Sequence, residues 1–343
     1  KNYFSLHFTP ARIFVCSFAA FILLGALFLW FPLSAAQKNL SFVDALFTAT
    51  SAVCVTGLTT IDVGKELSLA GQLIIMVLFQ VGGLGIITFS IILFVLMGRG
   101  ISFKGREIAQ STFLHTPRHD FYIILKKIIR YAFVVEAVGT AVLFLCFIQD
   151  FPAGRAFYHA IFHAVSAFNN AGFSLFPDSL MSYQSNVVVN IAVMVLIVLG
   201  GIGFIVQHEV IARLRDKKNK LSIHTKIVLI TTASLIVIGA VCFYFMEMNN
   251  LLKGATIRTT VLTSFFQSVT ARTAGFNTVD TGALTNSAIL IIMILMFIGA
   301  SPGSAGGGVK TTSFALLFLL IINRIRGNEN VNISYRTIPK EIM

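Results

Sequence analysis

Three short stretches carry residue types that could do chemistry in an otherwise apolar chain: SAVCVTGLTTID (51–62), SAFNNAGFSLFPD (166–178) and SVTARTAGFNTVD (268–280). Each has a serine, a glycine six or seven residues later, and an aspartate five or six residues after that. The chemistry this pattern suits is cation coordination by the main chain, not catalysis by side chains. Glycine reaches φ/ψ values that other residues resist, so successive carbonyls can face one way. Several such carbonyls around one axis can replace the water shell of an ion such as potassium. The residues assigned to this role are Val55, Thr56 and Gly57, then Asn170, Ala171 and Gly172, then Thr273, Ala274 and Gly275. A backbone contribution accounts for the differing side chains.

The elements that position these stretches follow from hydropathy. Apolar runs long enough to cross a bilayer lie near 13–33, 71–97, 121–148, 187–206 and 225–246, and a sixth, 286–323, is interrupted in its middle. Between them lie shorter amphipathic stretches near 42–53, 156–168 and 257–270. At about 1.5 Å per residue these cannot span about 30 Å of hydrocarbon. They read as half-helices that enter the membrane and turn back, and the order long–short–long occurs three times. The C-terminal end of a half-helix carries about half a negative charge and points it at the membrane centre.

Composition agrees with a membrane setting. Of the 343 residues 56% are hydrophobic and 12% charged, against about 25% charged in soluble domains. The net charge of +12 comes largely from basic clusters at 99–130, 213–226 and 324–340. Their position between apolar runs makes them cytoplasmic by the positive-inside rule and removes the case for nucleic acid. The four cysteines are far apart and form no CxxC pair, so they read as buried thiols. No cleavable leader pattern is seen in KNYFSLHFTPAR.

Other residues admit two readings each. Arg272 either tunes the ion path or stands behind its loop bonding carbonyls; a cation facing the ion would oppose conduction. His159 and His163, at i and i+4, could bind zinc but lack a third ligand, so they read as structural. Glu136 is the acid set well inside an apolar run, either an ion or proton site or a structural group. Asp62, Asp178 and Asp280 either attract cations at the mouth or cap turns. The double glycines at 82–83 and 200–201 suit close helix approach more than hinging. GGGVKTT does not fit a P-loop, because Val309 separates Gly308 from Lys310.

The three breaks, together with GASPGSAGGGVKTT (299–312), resemble the Ktr/Trk/HKT superfamily of potassium transporters, in particular its KtrB-type bacterial membrane subunits. The resemblance covers essentially the whole chain. It implies an all-α membrane protein built of helix–pore-loop–helix units around a pseudo-fourfold pore. Units would run 1–110, 111–220 and 221–335, with 336–343 leading into a fourth whose glycine is expected near position 380. The chain is therefore expected to represent part of a subunit. The resemblance also implies an intramembrane gating loop, assigned to Gly299, Ser301, Gly303, Ser304, Gly306, Gly307, Gly308 and Lys310. It implies potassium as the transported ion with sodium as the other candidate, a homodimer, a cytosolic nucleotide-binding regulatory ring, and a bacterial inner-membrane location. The competing classes are a non-conducting assembly subunit and a membrane-embedded enzyme; for the latter, no nucleophile–base spacing is present.

Overall fold

The computed structural model describes residues 10–36, 39–85, 121–325, 331–333 and 336–338. Helix α1 (Pro10–Trp30) leads into the short α2 (Phe42–Val53). A one-turn α3 (Val63–Glu66) and α4 (Leu69–Gly83) follow. Next come α5 (Phe121–Phe147), α6 (Ala153–Phe168), α7 (Val187–Gly201) and α8 (Phe204–Arg215). They are followed by α9 (Ile223–Glu247), α10 (Ile257–Thr270), α11 (Asn286–Phe297) and α12 (Thr311–Ile325). Strands β1 (Val331–Ile333) and β2 (Arg336–Ile338) form a small antiparallel hairpin. The architecture is thus helical apart from this hairpin, and Arg336–Ile338, expected to lead into a helix, is extended. The rest of the first basic cluster and of the 71–97 run beyond Gly85 lies outside the described residues.

Polar caps set the helix starts. Ser41, Ser68, Asn186, Ser222, Thr256 and Thr285 each accept a backbone N–H of the first turn. Such caps satisfy donors that a helix leaves unpaired. Asp62 and Asp280 work likewise: Asp62 accepts from Gly64 and Lys65 N–H, and Asp280 from Gly282 N–H. That is the capping alternative for these two acids.

Among the described residues two helices are long and apolar enough to span a membrane, within Lys126–Phe147 and Ile223–Glu247. The 187–206 run is not one straight span: α7 and α8 meet at 107°. The bend falls at Gly203, which has φ +86°, and Gln207 reaches back across it to the Leu199 carbonyl. Hydropathy does not register this bend because apolar residues continue through it. Leu24, Phe28, Val138, Ile230 and Ile238 are all more than half exposed. Apolar patches of that extent suit lipid rather than water.

Aromatic contacts and glycines join neighbouring helices closely. Phe79 of α4 meets Phe162 of α6 edge-on at 5.6 Å and stacks on Phe173 at 5.9 Å. Glycines bring backbones together in the manner of small-residue helix contacts. A Cβ at Gly82 would overlap the Val53 carbonyl, and one at Gly200 the Phe168 carbonyl. These double glycines therefore serve close approach, and the hinge is the separate Gly203.

Candidate functional site

The three half-helices end alike. The last helical residues are Val53, Phe168 and Thr270, followed by Cys54, Asn169 and Ala271 in right-handed helical geometry. The chain then turns left-handed at Val55 (φ 57°), Asn170 (φ 57°) and Thr273 (φ 68°). Two residues on, Gly57 (φ 81°), Gly172 (φ 71°) and Gly275 (φ 80°) are left-handed again. Left-handed geometry costs a non-glycine residue about 1–2 kcal/mol, so Val55, Asn170 and Thr273 are strained positions. Such strain persists where surrounding structure fixes it. Here Thr56 N–H bonds Ser51 O and Ala171 N–H bonds Ser166 O, both at 2.8 Å, and Gly275 N–H bonds Thr270 O at 3.4 Å.

The three loops gather at one place. A Cβ built on Gly57 would lie 2.7 Å from Ala171 O. One on Gly172 would lie 2.6 Å from Ala274 O and 3.0 Å from the Gly275 Cα. One on Gly275 would lie 3.2 Å from the Gly172 Cα and 3.9 Å from the Gly57 Cα. Each glycine is needed twice, for its backbone angle and for the room it leaves its neighbours.

The third loop departs in detail. It carries one extra residue, and the hydroxyl that ties the loop is Thr270, not Ser268: Thr270 Oγ1 donates to Phe276 O at 2.7 Å. This matches Ser166 Oγ donating to Phe173 O at 2.8 Å in the second loop. Ser268 instead bonds the Ile236 carbonyl of α9. Arg272 is 6% exposed and its Nη1 reaches the Thr232 carbonyl of α9 at 3.4 Å. It stands behind its loop, which agrees with the structural reading. His163 is also structural: Nδ1 pairs with His159 O at 2.7 Å and Nε2 with Ser174 Oγ at 2.9 Å, while its ring stacks on Phe176.

Residues 298–310, between α11 and α12, fold into a compact loop next to these three. Ile298 and Val309 form a parallel bridge. Gly299 N–H bonds Val309 O and Ala300 N–H bonds Gly307 O, both at 3.0 Å. Gly303 (φ 67°) and Gly308 (φ 75°) turn left-handed. Ser301 and Thr311 pair their hydroxyls at 2.8 Å in a buried contact, and Ser304 Oγ donates to Ser301 O. Lys310 Nζ donates to Gly306 O at 2.9 Å, so it anchors the loop on itself. Gly307 has open space around it.

The loop is pinned from two sides. Ser301 and Ala305 N–H bond the carbonyls of Gly201 and Gly200, and Phe204 N–H bonds Gly303 O, all at the α7–α8 bend. On the other side, a Cβ at Gly306 would lie 2.5 Å from Thr273 Oγ1 and 3.0 Å from the side-chain amide of Asn170. Gly306 thus brings this loop against the second and third glycine loops.

Short helices whose glycine ends converge, set among apolar helices two of which are long enough to span a membrane, define a membrane protein fold. The chain belongs to the TrkH cation transport protein family, whose model matches residues 9–343. It is 39% identical to Ktr system potassium uptake protein B of Vibrio alginolyticus, over 95% of this chain and 72% of that protein. It is 37% identical to the Bacillus subtilis protein of the same name, over 98% and 76%. It is also 36% identical to the potassium/sodium uptake protein NtpJ of Enterococcus hirae, over 96% and 73%. The crystal structure of TrkH from Vibrio parahaemolyticus shares the fold, with a TM-score of 0.74 at 19% identity, covering 100% of this chain and 69% of that one.

Proposed function

We propose that the chain forms the permeation path of a potassium uptake system, with main-chain oxygens of Val55–Gly57, Asn170–Gly172 and Thr273–Gly275 as ligands for a dehydrated cation. The observation that carries this reading is the mutual approach of Gly57, Gly172 and Gly275, each at positive φ. Alternating left-handed residues turn successive carbonyls toward one side, and the half-helix C-termini add negative potential there. Potassium is the named ion of the Vibrio and Bacillus relatives, and sodium joins it in the name of the Enterococcus protein. Residues 299–310 act as a gate, because they sit next to the loops and touch Asn170 and Thr273 through Gly306.

The segment Arg213–Lys220 at the end of α8 is exposed and basic, which supports a cytoplasmic position. In this reading a cytosolic nucleotide-binding ring meets the subunit there, and the subunit pairs with a second copy in the inner membrane. The test is tracer rubidium uptake into vesicles holding the full-length subunit. Potassium should compete strongly with rubidium, and sodium weakly. Equal competition by both ions, or uptake no faster than in empty vesicles, would overturn the reading.

A further inference from the structure

A buried polar triad stands behind the second pore loop. Glu136 of α5 is 4% exposed. Its Oε1 accepts from Gln80 Nε2 of α4 at 2.8 Å and from Asn169 Nδ2 at 3.2 Å. Asn169 Nδ2 also donates to Gln80 Oε1 at 2.6 Å and to Val165 O at 2.8 Å. Asn169 is fully buried and directly precedes Asn170, the first left-handed residue of the loop. One side chain at the end of α6 is therefore tied to its own helix, to α4 and to α5.

The corresponding residue of the first loop, Cys54, is exposed. A buried acceptor with two amide donors is costly to disrupt, since a lost partner leaves buried polar groups unpaired. The triad also packs without slack: a Cβ at Gly83 would lie 2.6 Å from the Asn169 Cβ. The two N–H groups of Asn169 Nδ2 are shared among three acceptors on α4, α5 and α6, which holds the side chain where the chain enters Asn170–Gly172.

We propose that Glu136 is a positioning residue for ion discrimination: through Gln80 and Asn169 it sets the orientation of the second loop's carbonyls. The inference rests on the filter reading above. Hydrogen-bond acceptance by Glu136 is the property used, so the isosteric amide retains the function and truncation removes it.

The experiment measures rubidium and sodium uptake by the full-length subunit in vesicles for Glu136→Gln, Glu136→Ala, Gln80→Met and Gly172→Ser. Glu136→Ala is expected to lower the rubidium-to-sodium preference at least tenfold and to raise the KM for rubidium more than it lowers the maximal rate. Gln80→Met should give a loss of several-fold. Glu136→Gln should stay within twofold of the parent, the rescue that a merely space-filling acid would not require. If Glu136→Ala proves unstable, Gln80→Met and Glu136→Gln decide the matter alone. An unchanged preference in Gln80→Met, or a collapse in Glu136→Gln, overturns the inference. Gly172→Ser separates the two levels. Loss there with the triad variants unaffected sinks the positioning role and keeps the filter, whereas an unchanged preference there sinks the filter itself.

Discussion

In the first pore loop Thr56 N–H meets Ser51 O at 2.8 Å; in the second, Ala171 N–H meets Ser166 O at the same distance. Val55 and Asn170 share a φ of 57°. Behind these matching backbones the side chains differ. Ser166 Oγ donates to the Phe173 carbonyl, whereas Ser51 Oγ is buried without a partner among the described residues. Asn169 is tethered to Gln80 and Glu136, whereas Cys54 is exposed. Asn170 leans on the 298–310 loop at Gly306. The geometry common to the two loops is thus one of backbone and glycine. Side chains bond the second loop close to its left-handed turn; the first is tied farther on, where Thr60 Oγ1 donates to Asp44 Oδ1 of α2 at 2.8 Å, and Ala45, Ala49, Ala52 and Phe79 pack around it.

The backbone half of this comparison predicts the largest effect. Serine at Gly57 or Gly172 should abolish rubidium-over-sodium preference alike, since each position needs positive φ and has a carbonyl oxygen under 3 Å from any Cβ. Gly275→Ser should do less harm, because its nearest obstacle is a Cα at 3.2 Å. Tracer uptake ranks the three, and a harmless Gly57→Ser would break the equivalence of the loops.

Deleting 303–308, which removes the contact of Gly306 with Asn170 and Thr273, should raise rubidium flux several-fold in a folded variant. Unchanged flux would mean that this loop does not restrict the path. Next in size, Asn169→Ala should lower the rubidium-to-sodium preference several-fold, while Cys54→Ala leaves it within twofold. Equal effects at the two sites would erase the proposed difference between braced and unbraced loops.

The smallest effect concerns stability. Ser166→Ala removes a buried hydrogen bond and should cost about 1 kcal/mol. Ser51→Ala removes a hydroxyl that has no partner among the described residues and should be neutral or slightly stabilising. Thermal melts in detergent check the pair, and a lower Tm for Ser51→Ala would contradict the asymmetry.

Much of this was legible from residue type and spacing. Gly57, Gly172 and Gly275 stood out because a polar glycine between apolar runs has few other uses, and the half-helices were too short to cross. The interruption of 286–323 was visible from Gly299–Gly308. Other features were not. Gly203 turns the chain by 107° inside uniformly apolar sequence, so hydropathy passes over it. The extra residue in the third loop moved the tying hydroxyl from Ser268 to Thr270, a shift that only backbone hydrogen bonds reveal. Glu136 was conspicuous as an acid among apolar residues, but its partners lie 56 and 33 positions away. Such pairings arise from tertiary packing and leave no local pattern.

The central claim is that main-chain oxygens of three loops face one ion. A crystal structure of the full-length subunit soaked in rubidium tests it most directly. The account predicts an anomalous peak within coordinating distance of carbonyl oxygens from Val55–Gly57, Asn170–Gly172 and Thr273–Gly275 together. A peak held by side chains elsewhere, or by one loop only, would contradict it.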